Sequence, residues 1–390
     1  MTLEGELVVR LEWDGRRVRS VAIRSTRPFA VARVVSGKRP AEAAALVPLL
    51  FSVCGGAQGA AASTALDAAG TNPRAAAIPA ARETVALLET VQEYLWRLLI
   101  DWPRAMDQAP AVAPVAAARQ RIAPVLSRAI AASRSGEAEA AAAPALAELI
   151  GWLEQLAAAH VYGMPSQSWL ALGDAAALGG WTAGATTIPA VLLGALFADA
   201  PQLGHSTVAL MPAATREAVM SSVMPAMRRD RGYARAPMWD GAPAETGALA
   251  RMHAHPLVAA LRARDGNTAA TRMVARLAEL SLLLARLRDR EQAQGEPPWV
   301  QGFASGNHQA FATVQTARGL LLHWVRLDDG KVADYEIVAP TEWNFHHAGA
   351  LAEGLAAMAA DDEATLVCRA RIAIQALDPC VACRVEVAHA

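Results

Sequence analysis

The sequence predicts an α+β chain that is mainly helical. Apolar residues recur every three or four positions in several long segments, as on the buried face of a helix. Two alternating runs, one near each end, flank an Asp-Gly dipeptide, which is a β-hairpin signal. Of 390 residues, 54% are hydrophobic and the mean hydropathy is +0.21, which excludes a disordered chain and implies a sizeable core.

The elements follow in order. Leu7, Val9 and Leu11 alternate, Asp14-Gly15 supplies a turn, and Val18, Val21 and Ile23 form a less regular return strand. Pro40 precedes a short apolar helix over residues 41–50, and the small residues of 57–69 suit a tightly packed helix. Residues 83–101 form an amphipathic helix on Leu88, Val91, Leu95 and Leu98, extended to Trp102 and stopped by Pro103. The Ala- and Pro-rich stretch 108–143 holds a helix between loops, and 145–159 another, with Leu146, Ile150, Leu153 and Leu156 on one face. Residues 200–256 are broken by prolines. The longest helix is expected over 268–290, carrying Met273, Leu277, Leu280, Leu284 and Leu287. A second hairpin runs from Leu320, Leu322 and Trp324 through Asp329-Gly330 to Val332, Tyr335 and Ile337. Helices over 349–360 and 363–377 follow, before the terminal Asp378-Pro379-Cys380-Val381-Ala382-Cys383 segment.

Composition narrows the function classes. Lys and Arg number 36 against 37 Asp and Glu, so the chain lacks the basic excess of a nucleic-acid binder. Residues 175–198 carry no charge, but their Gly, Thr and Pro content makes a buried loop plus helix a better reading than a membrane span. Residues 1–5 lead straight into the first hairpin without an apolar leader, so a soluble cytoplasmic protein is expected. Four cysteines cannot form a disulfide framework, and the Cys380/Cys383 pair reads as metal or redox chemistry. A Cys-x-x-Cys turn lets two thiolates reach one metal. The thioredoxin arrangement does not fit, since such a pair opens a helix and only seven residues follow Cys383.

Other residues are ambiguous one at a time. Cys54 sits beside Gly55-Gly56, where backbone can approach a ligand closely, yet a single cysteine is commonly a plain buried residue. Arg318, in Gln315-Thr316-Ala317-Arg318-Gly319, reads by default as a surface or salt-bridged arginine at the head of the second hairpin. Thr341, in Pro340-Thr341-Glu342-Trp343-Asn344, reads as a turn hydroxyl. His346-His347 reads as a loop pair whose rings point apart, and Cys368 as a buried structural residue.

Taken together, these segments resemble the [NiFe]-hydrogenase large subunit. The Asp378 to Cys383 segment is similar to that family's C-terminal metal-binding signature. Gln315 to Gly319 resembles its Glu-Ala-Pro-Arg-Gly motif, and Pro340 to Asn344 resembles its Pro-Thr-Thr-Trp-Asn stretch. Leu3-Glu4-Gly5 resembles its Arg-Ile-Glu-Gly-His start, and Leu50-Phe51-Ser52-Val53-Cys54 its first cysteine motif. The ordered matches cover about residues 1–105 and 300–390, with a helical middle over 106–299, which implies one large-subunit-like domain over 1–390.

The departures give the resemblance its functional content. In the family, the first cysteine of each pair binds nickel alone and the second bridges nickel to iron. Here Phe51 replaces one nickel-only cysteine, whereas Cys54 and Cys383 match the iron-contacting pair and Cys380 remains as a third thiolate. The family's histidine after the first pair is Gln58 here, its acid before the arginine motif is Gln315, and its proline there is Ala317. Arg318 and Thr341 match the two donors to the iron cyanides, and Asp378 is implied to shape the C-terminal turn. The pattern resembles the HupK/HoxV-type hydrogenase expression proteins, non-catalytic relatives of the large subunit. It implies a scaffold that transiently holds iron as Fe(CN)2(CO), with nickel not expected. The implied partners are the maturation chaperones that deliver the iron unit and the hydrogenase large-subunit precursor, with no nucleic acid and no membrane. A diverged catalytic large subunit is the alternative reading, and a metal-free interaction protein that keeps the fold is a third.

Overall fold

The computed structural model describes residues 5–26, 34–51, 53–70, 77–135, 139–230, 232–289, 297–356 and 358–390. Leu3, Glu4 and Ser52 of the motifs above lie outside the described residues.

The first hairpin forms as expected. Strands β1 (Glu6–Trp13) and β2 (Val18–Ser25) pair antiparallel. The Asp14 carboxylate accepts from the backbone N–H groups of Arg16 and Arg17, at 2.9 and 2.8 Å, which closes the turn. Leu7, Val9 and Leu11 turn to the core and are buried. Pro40–Leu46 is helical and is followed by a 3-10 turn at Val47–Leu50.

Helix α1 (Gly55–Ala69) is built of small residues, so its backbone lies close against its neighbours. A Cβ on Gly302 would stand 2.6 Å from the Thr64 side chain, which shows how close the approach is. Helix α2 (Ala77–Trp96) does not stop at Pro103. It widens into a π-helical turn, Arg97–Asp101, and continues over Trp102–Ala105. The wide turn pairs the Trp102 N–H with the Arg97 carbonyl, and the Leu99 carbonyl, which Pro103 cannot serve, accepts from Ala111 at 2.8 Å. Helix α3 (Val112–Ser135) spans 24 residues and runs through Pro124. Helix α4 (Glu139–Ala157) begins earlier than expected and ends in another π turn, Ala158–Tyr162.

The uncharged stretch folds as two helices, Ala175–Gly184 and Ile188–Asp199, bent by 120°. Among the described residues no single helix is long and apolar enough to cross a membrane. The proline-broken region holds short elements, including the two-residue strands β3 (Ala209–Leu210) and β4 (Ala244–Glu245). Helix α5 (Ala269–Arg288) is 20 residues long, shorter than α3, and is enclosed along most of its length.

The second hairpin is half of a larger sheet. Strands β5 (Val300–Gly306), β6 (Gln309–Thr316), β7 (Gly319–Asp328) and β8 (Lys331–Val338) form an antiparallel meander in sequence order. The β6 run Ala310-Phe311-Ala312 is buried without alternation because α1 covers one face and the cluster around Trp343 the other, so it lacks the period-2 signal. Helix α6 (Pro340–Asn344) follows β8 directly. The helix expected over 349–360 is only Ala350–Leu355, and α7 (Glu363–Leu377) has the expected bounds. Finally β9 (Ala382–His389) lies parallel to β1, pairing Leu7 with Cys383, so the first sheet has the order β2-β1-β9. The described ends of the chain are thus joined by a strand ladder.

Candidate metal centre

Three pieces of backbone carry the candidate residues. The first is the entry to α1. Cys54 immediately precedes the helix, and the N–H groups of Gly56 and Ala57 donate to the Glu89 carboxylate of α2 at 2.8 and 3.1 Å. An acid at a helix N-terminus satisfies otherwise unpaired donors. Gly56 leaves room for this carboxylate: a Cβ there would stand 2.5 Å from Glu89 Oε2 and 2.9 Å from the Val85 side chain. Burial pushes the Glu89 pKa up to about 7, against the lowering effect of the two backbone donors.

The second piece is the β6–β7 turn, which holds Arg318. Its guanidinium is buried and donates to Glu93 of α2 at 2.7 Å. Its carbonyl accepts from the Asn344 amide at 3.0 Å, while Asn344 Oδ1 accepts from the Thr246 N–H at 2.9 Å. Gly319 has φ +126°, and a Cβ there would lie 2.4 Å from the Thr246 side chain. Only glycine fits this corner, which fixes where Arg318 points.

The third piece is the C-terminal turn. Asp378 caps α7 in the left-handed region, φ 61°, with its side chain fully enclosed. Arg97, Arg318 and Arg276 approach its carboxylate at 2.5, 3.4 and 3.9 Å. Burial alone would raise the Asp378 pKa; the three guanidinium groups outweigh it and hold the carboxyl below its usual value. Arg97 also donates to the Pro379 carbonyl at 2.7 Å, so the chain entering Cys380 is tied to the extension of α2.

These pieces converge. The Thr341 hydroxyl is 2.8 Å from the Cys380 sulfur. Arg318 is held further above its ordinary pKa: burial lowers it, and Asp378, Glu93, Cys380 and Cys54 together outweigh burial. Both cysteines thus favour the charged form of this buried guanidinium. Cys383 stands three residues on, in β9, packed against the cluster that contains Leu7 and Leu377. Burial, with Glu6 adding to it, pushes the Cys383 thiol up to about 12. Among the described residues no group of three or more His, Cys, Asp or Glu side chains is set around one metal position.

Of the surface or salt-bridged roles read for Arg318 by default, the structure bears out the second: it is buried and paired with Glu93 and Asp378. His346-His347 lies in a loop as expected, but His346 is buried and the two rings do not point apart: they stack at 4.2 Å, with His346 Nδ1 accepting from the Ala348 N–H. Cys368 is half-buried on α7, its thiol 3.5 Å from the Ala105 carbonyl. Phe51 packs on the apolar cluster around Val35, Ala43 and Val47. Sequence reasoning missed Glu89, Glu93, Arg97 and Arg276. The available signal was charge spaced at three and four in helices, as in Arg272, Arg276 and Glu279, which usually marks a solvated face. It marks a buried network here because α5 is enclosed.

Over the whole of this chain, HoxV of Cupriavidus necator, a hydrogenase expression/formation protein, is 34% identical, with 98% of its own length covered. The chain belongs to the HoxV/HupK family of hydrogenase expression/formation proteins. HupK of Azotobacter vinelandii is 31% identical with both chains fully covered, and HupK of Rhizobium leguminosarum bv. viciae is 31% identical over 95% of this chain and 93% of its own. A family profile described as nickel-dependent hydrogenase matches residues 214–386. The Ni-Fe-Se hydrogenase of D. vulgaris Hildenborough in its reduced state aligns with a TM-score of 0.58 at 17% identity, covering 96% of this chain and 98% of that one. The HoxV/HupK chain thus has a hydrogenase large-subunit-like fold, as the paired end motifs imply.

Proposed function

We propose that this protein acts in [NiFe]-hydrogenase maturation as a non-catalytic scaffold that holds iron as Fe(CN)2(CO) before its transfer to the large-subunit precursor. Cys54 and Cys383 are the iron ligands in this reading, and Cys380 is a third thiolate that takes part in holding or releasing the unit. Arg318 and Thr341 face the cyanides, and Asp378 shapes the turn and holds Arg318. Iron is cargo here, and nickel has no full thiolate set because Phe51 offers no donor atom.

The single observation that carries the reading is the 2.8 Å approach of the Thr341 hydroxyl to the Cys380 sulfur, in a site where Cys380 and Cys54 both help hold the charge of the buried Arg318 guanidinium. Thiolates are soft ligands for low-spin iron, and anionic cyanides need fixed charged or hydroxyl donors. The names of the relatives support a maturation role, and they fit chaperones and a hydrogenase precursor as partners.

Metal analysis and infrared spectroscopy of anaerobically purified protein test it. The expected result is carbonyl and cyanide bands on iron without stoichiometric nickel. Cys54→Ala and Cys383→Ala each abolish iron retention, whereas Cys380→Ala leaves part of it. Equal iron in the wild type and the first two variants refutes the ligand assignment. Hydrogen uptake by the protein joined to a small subunit would favour the catalytic alternative.

A further inference from the structure

A chain of hydrogen-bonding groups runs from the four-stranded sheet to Cys54. The Tyr335 hydroxyl on β8 lies 2.7 Å from Nδ1 of His323 on β7. Nε2 of His323 lies 2.9 Å from Oε1 of Gln58 on α1. The amide nitrogen of Gln58 then faces the Cys54 sulfur at 3.7 Å. His323 is 0%, Gln58 2% and Tyr335 4% exposed, so each group depends on the next for its hydrogen bonds.

With the Gln58 amide set as it is, Oε1 toward His323 and Nε2 toward Cys54, matching donors with acceptors fixes the direction of the rest of the chain. Burial pushes the His323 pKa down to about 3, so its ring is neutral, with one donor and one acceptor. The Gln58 carbonyl oxygen can only accept, so Nε2 of His323 carries the hydrogen. Nδ1 must then accept, and the Tyr335 hydroxyl donates to it. What remains of the Gln58 amide is an N–H, and it points at sulfur. Reversing the amide would set a carbonyl oxygen against a metal-bound thiolate, which has no proton to give.

We infer that Tyr335 and His323 are positioning residues that lock the Gln58 amide with its N–H toward Cys54, so that this sulfur meets a metal as a hydrogen-bonded thiolate. The geometry is independent of the cargo; its purpose rests on the proposed role of Cys54 as an iron ligand. A donated N–H draws electron density from the sulfur and orients its remaining lone pairs. A carboxamide can stand where the large-subunit family has an imidazole because both carry one donor and one acceptor on a single planar group.

Two measurements test the inference. In metal-free protein labelled with 15N-histidine, with the His323 signals assigned by their loss in His323→Gln, long-range 1H–15N spectra report the tautomer. His323 is expected as the Nε2–H form, and Tyr335→Phe is expected to populate the Nδ1–H form. An Nδ1–H ring in the wild type overturns the inference, whatever the iron content. In iron-loaded protein, Gln58→Leu is expected to move the carbonyl stretch to lower wavenumber, or to lose the iron, and Gln58→His to restore the wild-type behaviour. An unchanged band at equal iron content in Gln58→Leu also overturns it. Absence of cyanide and carbonyl bands from the wild type defeats the scaffold proposal instead, and the tautomer then decides the relay.

Discussion

Replacing Asp378 by Asn is the sharpest perturbation of the site. Asn tolerates the left-handed backbone that Asp378 adopts, so the substitution removes the charge without adding backbone strain. It leaves Arg97, Arg276 and Arg318 around a neutral amide, with Asp101 and Glu93 still paired to Arg97 and Arg318. Arg276 then loses its carboxylate contact, and two of its nitrogens already lack hydrogen-bond partners. Removing one partner of a buried ionic cluster costs about 3–5 kcal/mol. At about 2.1 cal/mol/K per residue, the 390 residues give an unfolding entropy of about 0.8 kcal/mol/K. The expected fall in Tm is therefore about 4–6 °C, read by calorimetry at pH 7. The folded pKa of Asp378 is depressed, so its contribution is present above the unfolded carboxylate value, about 3.9, and is lost as pH falls through the folded value. The gap between wild type and variant should thus stay constant from neutral pH to mild acid and close only in stronger acid. A Tm within a degree of wild type at pH 7, or a gap that closes near neutrality, would refute the assignment of Asp378 as an ionised hub.

Glu89 should behave in the opposite sense. Its folded pKa is raised to about 7, so the folded chain binds an extra proton between the ordinary carboxylate value and 7, and stability falls as pH rises across that window. Glu89→Gln should remove that slope from Tm measured between pH 5 and 7.5. Gly319→Ala should lower stability by at least about 1–3 kcal/mol, the scale of a strained backbone, because Thr246 fills the space and φ is positive; urea unfolding checks it. Phe51→Cys should raise nickel affinity in an anaerobic titration followed by thiolate charge-transfer absorption. No gain there would mean that a thiol at position 51 is not directed toward Cys54.

The sequence by itself determined the parts whose cause is local. Hydrophobic period set the helices, Asp14-Gly15 and Asp329-Gly330 set two turns, and α7 has the bounds its pattern gives. Motif order also named Cys54, Arg318, Thr341, Asp378, Cys380 and Cys383 as one group; in the structure Thr341 meets Cys380 and Arg318 meets Asp378, while Cys383 packs on the cluster around Leu7 and Leu377. Tertiary structure decided what depends on partners distant in the chain. Ala382–His389 alternates Cys383, Val385 and Val387 with Arg384 and Glu386, a strand signal that sequence reasoning missed; only the tertiary structure decides that it pairs parallel to β1. Pro103 does not end the helix, and the Ala111 N–H donates to the Leu99 carbonyl that the missing proline N–H leaves open. Arg97 and Arg276 look like solvated charges until folding encloses them around Asp378, where their charge is fixed by burial and proximity. Gln58, His323 and Tyr335 have no meaning as isolated letters; they become a directed chain only when α1 packs on the sheet, because a hydrogen bond is set by distance and direction in space, not by spacing along the sequence.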